Sequence, residues 1–585
     1  MKMTFRITRL LFSLILSLSL SFIPQNVKPY KEKAFDWDNA SIYYLMTDRF
    51  SNGDETNDLS YGRKKTGNDT GSFQGGDFKG ITEKIEEGYF DRLGVDALWI
   101  SAPYEQIHGF VSGGKNGEFA HYAYHGYYPL DYTMTDADFG TVEEFRELTE
   151  KAHERGMRII LDVVVNHAGY ATIKDMEEFG FGKMSIDSSW EPGEGENYSS
   201  YNNFIDYGDD KAWEKWWGKD WIRADLPGYT KGGNDDQTMK LSGLPDFKTE
   251  STKTVAIPQF LKNKWNNPGS SSGEYSLDKA SLLRQDRELT PAGYLTLWLA
   301  EWVREFGIDG FRMDTAKHIN PELAVSIKNE ADTALKEGRL KNTGKPGSRI
   351  TDDFFMFGEI WGYTPGNTAV QKDGYDALIN FGFQGESTDG PAYNMKSMEK
   401  TMEQYSSFIE KEDTDIVSYI SSHDTRLYPR GKLKEGLAYL SLLPGTIEIF
   451  YGDESGRKYQ ESYGDPSQSG RSFMNWETSD EEIFNHAAKL LTFRKNNVAV
   501  GAGIHTTVSE NPFIFMRKYD KKGIENTVIA AVGLTEDTEI NMEGFAQDGD
   551  VIRDWYTDRE YTVKDRKITV VPGREGVVLL GKVKR

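Results

Sequence analysis

From residue 41 to about residue 497, short runs of apolar and β-branched residues alternate with stretches whose apolar positions recur every three or four residues. The runs at 42–46, 97–100, 158–165, 310–313, 354–357, 377–380, 416–420 and 448–451 read as strands. The amphipathic stretches at 142–155, 292–306 and 321–335 read as helices between them. Eight strands in alternation with helices predict a (β/α)8 barrel, a fold that carries its chemistry at the C-terminal ends of its strands.

Two segments break the alternation. Residues 168–291 are rich in Gly, Asn, Asp, Ser and Trp, include Trp213-Glu-Lys-Trp-Trp217, and hold few long periodic elements. This is too long for a bare loop, so an inserted subdomain is expected after strand three. Beyond residue 498 the pattern changes to alternating strands, at 513–518, 526–532 and 576–580 among others, which predicts a small antiparallel β domain over 498–585. The barrel is thus expected in two parts, 36–167 and 292–497. The tail leaves room for this β domain alone, and no repeat or low-complexity linker is seen.

Composition narrows the function. A net charge of -23 and a pI near 5.0 disfavour nucleic acid as a partner, because phosphate binding needs a basic footprint. Aromatic residues make up 13% of the chain, which suits a core first and sugar-stacking platforms second. At the N-terminus, Lys2, Arg6 and Arg9 precede the apolar run 10–23, and no acidic residue occurs before Glu32. Residues 1–24 therefore read as a signal peptide. The run is shorter than the ~20 residues of a membrane span, the alternative reading. An exported chain is expected, in the periplasm or the medium, with no membrane association after signal removal. The chain has no cysteine, so its stability outside the cytoplasm has to come from something other than disulfides, and bound metal is one candidate.

Three acidic motifs each follow an apolar run, ending at or centred on Asp314, Glu359 and Asp424. Cleavage of a glycosidic bond commonly uses one carboxylate as nucleophile and a second as proton donor, and strand ends are rigid mounts for both. Arg312 lies two residues before Asp314 on the same strand face, where it is expected to lower that acid's pKa and suit it to nucleophilic attack. Glu359 stands before Ile360 and Trp361, whose apolar and aromatic surroundings are expected to raise its pKa, as a general acid requires. Asp424 follows His423 and is placed to hydrogen-bond a sugar as charge develops.

With these motifs in view, the chain resembles the α-amylase family of retaining glycoside hydrolases over nearly its whole length after the signal segment. Asp162-Val-Val-Val-Asn166-His167, Gly310-Phe-Arg-Met-Asp-Thr-Ala-Lys-His318, Phe357-Gly-Glu-Ile-Trp361 and Ile420-Ser-Ser-His-Asp424 resemble the four hallmark regions, in order, and Leu244-Pro-Asp-Phe247 resembles a fifth. The resemblance implies Asp314 as nucleophile, Glu359 as acid/base and Asp424 as transition-state stabiliser. It also implies that Arg312, His167 and His423 surround the sugar on the non-reducing side of the bond. In Tyr122-Ala-Tyr-His-Gly-Tyr-Tyr128, Tyr127 matches the tyrosine that stacks on that sugar, and His125 is a further candidate contact. Lys317 and His318 match a pair on the leaving-group side. Three segments resemble the periplasmic α-amylases of bacterial maltodextrin systems in particular: Ile100-Ser-Ala-Pro-Tyr-Glu-Gln-Ile-His-Gly109, Trp216-Trp-Gly-Lys-Asp-Trp-Ile-Arg223 and Thr425-Arg426.

The resemblance further implies a structural calcium held by Asn166, Asp246 and the backbone carbonyl of His318, which would lock the insert onto the barrel. Asp235 and Asp236 compete for a further ligand. A second cluster, Asn52, Asp54, Asn57 and Asp58 with the Gly75 carbonyl and Asp77, resembles the calcium loop of cyclodextrin-forming relatives, the alternative being a polar loop of Asx turns. The expected activity is hydrolysis of internal α-1,4 bonds in starch or maltodextrin with net retention, by a monomer. A glucanotransferase or an α-1,6-active enzyme on the same barrel is the alternative.

Overall fold

The computed structural model describes residues 35–65, 70–267, 273–367, 372–394, 397–412, 414–460 and 466–582. The signal segment expected at 1–24 lies outside them. Eight parallel strands close a barrel: β1 (Ser41–Leu45), β2 (Ala97–Ile100), β3 (Arg158–Val163), β4 (Gly310–Met313), β5 (Phe355–Gly358), β6 (Ala377–Asn380), β7 (Asp415–Ser418) and β8 (Thr446–Phe450). Each strand pairs with its neighbours in sequence, and β1 pairs with β8 to complete the ring. Both faces of these strands are covered, so they are buried throughout and read as apolar runs rather than as alternation.

The helices start where local chemistry dictates. Helix α1 (Phe78–Glu86) is capped by Asp77, and α2 (Val142–Glu154) by a Thr141–Glu144 capping box. Helix α3 (Pro291–Phe306) has Thr290 as cap and proline in its first turn, and ends at Gly307 with φ +71°. Helix α4 (Pro321–Lys341) runs six residues beyond its expected end at residue 335, as its apolar face persists through Leu335 and Gly338.

Between β3 and α3 the described residues form short helices and a two-residue ladder, Ile222–Arg223 against Asp246–Phe247, and make up the insert. Its core is aromatic: Trp213, Trp216, Trp217 and Trp221 are all nearly fully buried, and Trp221 stacks on Trp298 of α3 at 5.9 Å. The core reading of these tryptophans therefore holds. The insert is pinned to the end of β3 by a bridge between His167 and Asp246 and by the Phe247 amide on the Asn166 carbonyl at 2.8 Å. The sequence pattern did not reveal a second excursion after β2. There, Tyr104–Gln106 pairs with Pro129–Thr135, and Val111–Gly113 pairs with Phe119–His121 as a hairpin.

The C-terminal part is antiparallel, as expected. Its strands are β9 (Ile504–Glu510), β10 (Phe513–Lys521), β11 (Ile524–Ala531), β12 (Thr538–Asn541), β13 (Val551–Asp554), β14 (Arg559–Thr562), β15 (Lys567–Val570) and β16 (Val578–Lys582). One sheet has the order β9-β10-β11-β16-β13-β14, and β12 pairs with β15 in a second. Ile514, Ile529, Ile540, Ile568 and Leu580 fill the core between them. Among the described residues, no helix is long and apolar enough to cross a membrane.

Candidate active site

Asp314 and Glu359 stand one residue past the ends of β4 and β5, and the barrel ladder still holds both. The Asp314 amide donates to Val163 O at 2.9 Å, and the Glu359 amide to Met313 O at 3.0 Å. Each acid therefore has a fixed backbone as its mount. Asp424 lies further out, in the loop after β7, because that strand ends at Ser418 rather than near residue 420. Arg471 holds it instead, donating Nη2 to Asp424 Oδ1 at 2.9 Å and Nε to the His423 carbonyl at 3.0 Å.

Arg312 is the hub. It is 1% exposed and pairs in register with Asp162 of β3, so the two side chains reach the barrel interior at one height. Its Nη1 donates to Asp162 at 2.8 Å and to Asp314 at 2.7 Å, and its Nη2 lies 3.2 Å from Glu359 Oε2. The Thr315 amide donates to the same Glu359 oxygen at 2.8 Å. To deliver it, Thr315 takes φ +46°, a left-handed conformation that is unusual for a β-branched residue and one that active sites use to aim a group.

The charge balance differs from the expectation at Asp314. Arg312 pulls its carboxyl down, as foreseen, but burial together with Glu359, Asp162 and Asp424 outweighs this and holds it well above the usual carboxylate range. Glu359 is also raised, chiefly by burial and then by Asp424, against the pull of Arg312. Trp361 is not the cause: it is 59% exposed and packs on Phe381. Asp424 moves the other way. Burial would raise it, but His423, Arg471 and Arg312 keep it below the ordinary range and anionic.

A polar wall closes one side of this ring. The Tyr127 hydroxyl donates to Asp162 Oδ2 at 2.8 Å and lies 2.7 Å from His423 Nε2. A hydroxyl has one proton to give, so it accepts from His423, which therefore carries its proton on Nε2. Tyr127 and His423 also stack, with ring centroids 5.7 Å apart. His167 is buried and its Nε2 donates to the Tyr127 carbonyl at 3.1 Å; burial lowers its pKa to about 4, so it is neutral. His125 sits behind Tyr127. Its Nδ1 accepts the Tyr127 amide at 3.0 Å and its Nε2 meets His121 Nε2 at 3.3 Å, so both its nitrogens are engaged by protein. Lys317 and His318 lie on the rim, where both contact Asp236 of the insert at 3.1 and 2.8 Å.

The expected calcium ligands fall in two groups. With Nε2 of His167 protonated, its Nδ1 is the acceptor for Asn166 Nδ2 at 3.3 Å, which fixes the amide and turns Oδ1 away. Asn166 Oδ1 and Asp246 Oδ1 are both buried without a hydrogen-bond partner. The other Asp246 oxygen receives Arg223 at 2.7 Å, yet burial still pushes this carboxyl up to about 7. Orphaned hard oxygens of this kind fit a calcium ion. In the second group, Asn52 Oδ1 and Asn57 Oδ1 are likewise buried and unpartnered, and Asn52 Nδ2 donates to Asp58 at 3.1 Å. Gly75, at φ +94°, lets its backbone come so close that a Cβ would meet Asn52 and Asp58 at 2.4 Å. Asp54 and Asp77 are otherwise engaged: Asp54 in a turn with Thr56, and Asp77 capping α1 while accepting the Gly53 and Asp54 amides. Among the described residues, His108, Asp175 and Glu178 also have metal-like spacing. However, His108 fills that cluster itself, bonding Glu105 at 3.0 Å and Glu178 at 2.6 Å.

Residues 44–218 and 292–497 match the model of the alpha-amylase catalytic domain. The chain belongs to the α-amylase family. It is 43% identical over 492 residues to the periplasmic alpha-amylase of Escherichia coli (strain K12), covering 81% of this chain and 69% of that protein. It is 27% identical to the alpha-amylase of Streptomyces lividans over 87% of this chain and 57% of that one. A cyclomaltodextrin glucanotransferase of Bacillus sp. (strain 17-1) is 27% identical over 92% of this chain and 66% of its own length. Among solved structures, an Anoxybacillus α-amylase superposes with a TM-score of 0.60 at 22% identity, over 94% of this chain and all of that one, which supports the shared fold.

Several members of this α-amylase-family site were not singled out from the sequence. Asp162 belongs to the first hallmark-like motif, and its register opposite Arg312 puts it in the barrel interior. Arg471 follows a stretch with no periodic signal, so nothing in the chain pointed to it. Glu448 on β8 is 2% exposed, its Oε1 has no partner, and burial holds it well above the carboxylate range.

Proposed function

We propose that this α-amylase-family enzyme hydrolyses internal α-1,4 bonds of starch or maltodextrin with net retention. The observation that carries the reading is the single guanidinium of Arg312, which binds both Asp314 and Glu359. Two carboxylates held by the two arms of one fork are drawn together, which favours the roughly 5–5.5 Å spacing of a retaining pair over the roughly 6.5–9.5 Å of an inverting one.

In the first step Asp314 attacks the anomeric carbon, the glycosidic C–O bond breaks, and Glu359 gives its proton to the leaving oxygen. Asp424, kept anionic by His423 and Arg471, faces the positive charge that develops on the sugar. In the second step Glu359 takes a proton from water, which displaces Asp314 and releases the sugar with its original configuration. In the free site burial raises both Asp314 and Glu359, the direction that favours the protonated acid the first step needs. When the sugar's developing charge meets Asp314, the anion is favoured there and the proton at Glu359.

Calcium would be held by Asn166 and Asp246, with His318 nearby, where it would tie the insert to β3 and the rim of the site. A second ion would be held by Asn52, Asn57, Asp58 and the Gly75 carbonyl. Each would supply structural support. The charged and apolar N-terminal segment and the periplasmic relative support export. Time-resolved product analysis on maltoheptaose and pullulan tests the activity: shorter maltodextrins from the first and none from the second are expected. Products longer than the starting chain would make it a transferase, and cleaved pullulan an α-1,6-active enzyme.

A further inference from the structure

At the N-terminal end of the barrel, away from the catalytic acids, the first residues of β5 and β7 line a cavity of about 280 Å³. Six carboxylates surround it, from Asp36, Asp38, Asp353, Asp376, Glu412 and Asp415, together with Trp37 and Phe355, whose rings stack at 4.2 Å. It shares no residue with the catalytic ring or with either expected calcium group.

Three of these acids are engaged by cations. Asp376 pairs with Lys328 of α4 and accepts the Met356 amide at 2.7 Å, and Glu412 pairs with Lys372 at 3.1 Å. Asp36 accepts the Tyr519 hydroxyl of β10 at 2.8 Å and lies 3.7 Å from Lys522. No ion pair reaches the other three among the described residues, although Lys521 and Lys522 attract Asp38 from further off. Asp353 is exposed on the rim. Asp415 is 7% exposed; its Oδ2 accepts the Thr446 amide at 3.2 Å, but its Oδ1 is buried and meets no donor. Gly445, at φ +82°, keeps the space beside that oxygen clear, since a Cβ there would stand 2.9 Å from it. Asp38, on the short helical turn Trp37–Asn39 before β1, is within hydrogen-bonding reach of Asp415. Burial and then Asp36 lift Asp38 to about 6, and burial and then Asp38 hold Asp415 well above the carboxylate range.

Two buried acids so placed need positive charge between them, either a shared proton or a metal cation. A proton neutralises one charge, whereas three carboxylates here stand without an ion pair and a divalent cation compensates two. Carboxylate oxygens select a hard cation, and the cavity has room for the waters that complete its shell. We propose that Asp38 and Asp415 bind a hard divalent cation of the calcium type, which ties the segment before β1 to β7 and, through Asp36 and Tyr519, to the C-terminal β domain. The site is structural and stands apart from the glucan chemistry.

The test counts calcium bound per chain by equilibrium dialysis near neutral pH for the wild-type chain, Asp38→Asn and Asp415→Asn, with circular dichroism to check that each variant folds. Asparagine keeps the size and hydrogen-bonding capacity of each acid but removes its charge. The wild type should bind one calcium more than either variant, and added calcium should raise Tm less in the variants. The Asn166 and Asn52 groups are intact in all three chains, so their calcium does not enter the difference. Asp38 is only half-buried, so Asp38→Asn decides the matter alone if Asp415→Asn does not fold. An equal calcium count in the wild type and in folded Asp38→Asn overturns the site and leaves a proton-sharing pair in its place.

Discussion

Replacing Arg312 with lysine tests the organisation of the site at its hub. Arginine presents a planar fork that serves Asp162, Asp314 and Glu359 at 2.8, 2.7 and 3.2 Å, whereas lysine keeps the charge but offers one point donor on a flexible stem. At least one charge-assisted bond is lost, worth about 1.5–3 kcal/mol, which converts to a fall in kcat/KM of about 10- to 150-fold. The pH profile should move as well. Arg312 lowers both Asp314 and Glu359 by its charge, and a lysine ammonium that reaches only part of the fork lowers them less, so both rise and the acid limb, which requires an ionised Asp314, shifts to higher pH. The assay is kcat/KM on maltoheptaose from pH 4 to 9, with thermal unfolding of the same samples to separate activity from folding. A folded variant within twofold of wild type and with unmoved limbs would refute the reasoning, because the fork would then not organise the acids.

Three further outcomes are expected. Tyr127→Phe removes the hydroxyl that joins Asp162 to His423 but keeps the ring, so kcat/KM on maltoheptaose should fall about tenfold or more while Tm changes little. His108, held between Glu105 and Glu178, has its pKa raised to about 9 even though burial alone would lower it. Its contribution, about 3 kcal/mol, is fully present below the unfolded value near pH 6.5 and is lost as pH rises through 9, so stability against urea should decline over that window and His108→Asn should flatten the decline. Chelation should lower Tm and added calcium should restore it, by mass action on the folded state, and Asn166→Ala should shrink that calcium-dependent shift.

The barrel was legible because its strands are buried on both faces and its helices carry strong caps, so that local pattern and global fold agree. The C-terminal sheets were legible for a related reason, since alternation along a half-buried strand is a direct record of its two faces. The hairpin after β2 was not legible: its strands are three residues long and its shape is set by contacts with Phe119 and the insert rather than by period. The acids could be found because motif residues near one another in sequence also meet in space, as Arg312 and Asp314 do. Arg471 could not, since its partner Asp424 is 47 positions away and nothing local announces the contact. The direction of the Asp314 shift was misjudged for the same reason: the sequence displays the nearby arginine, whereas the burial and the carboxylates from β3 and the later loops appear only after folding.

The most direct test of the central claim, that Asp314 forms a glycosyl-enzyme, is to trap it. The intact enzyme is incubated with a 5-fluoro-α-glycosyl fluoride, digested, and mapped by mass spectrometry. The account predicts a mass increase of one fluoroglycosyl unit on the peptide containing Gly310 to Met313, carried by Asp314 and absent in Asp314→Asn. A label on another carboxylate, or inverted products with no label at all, would contradict it.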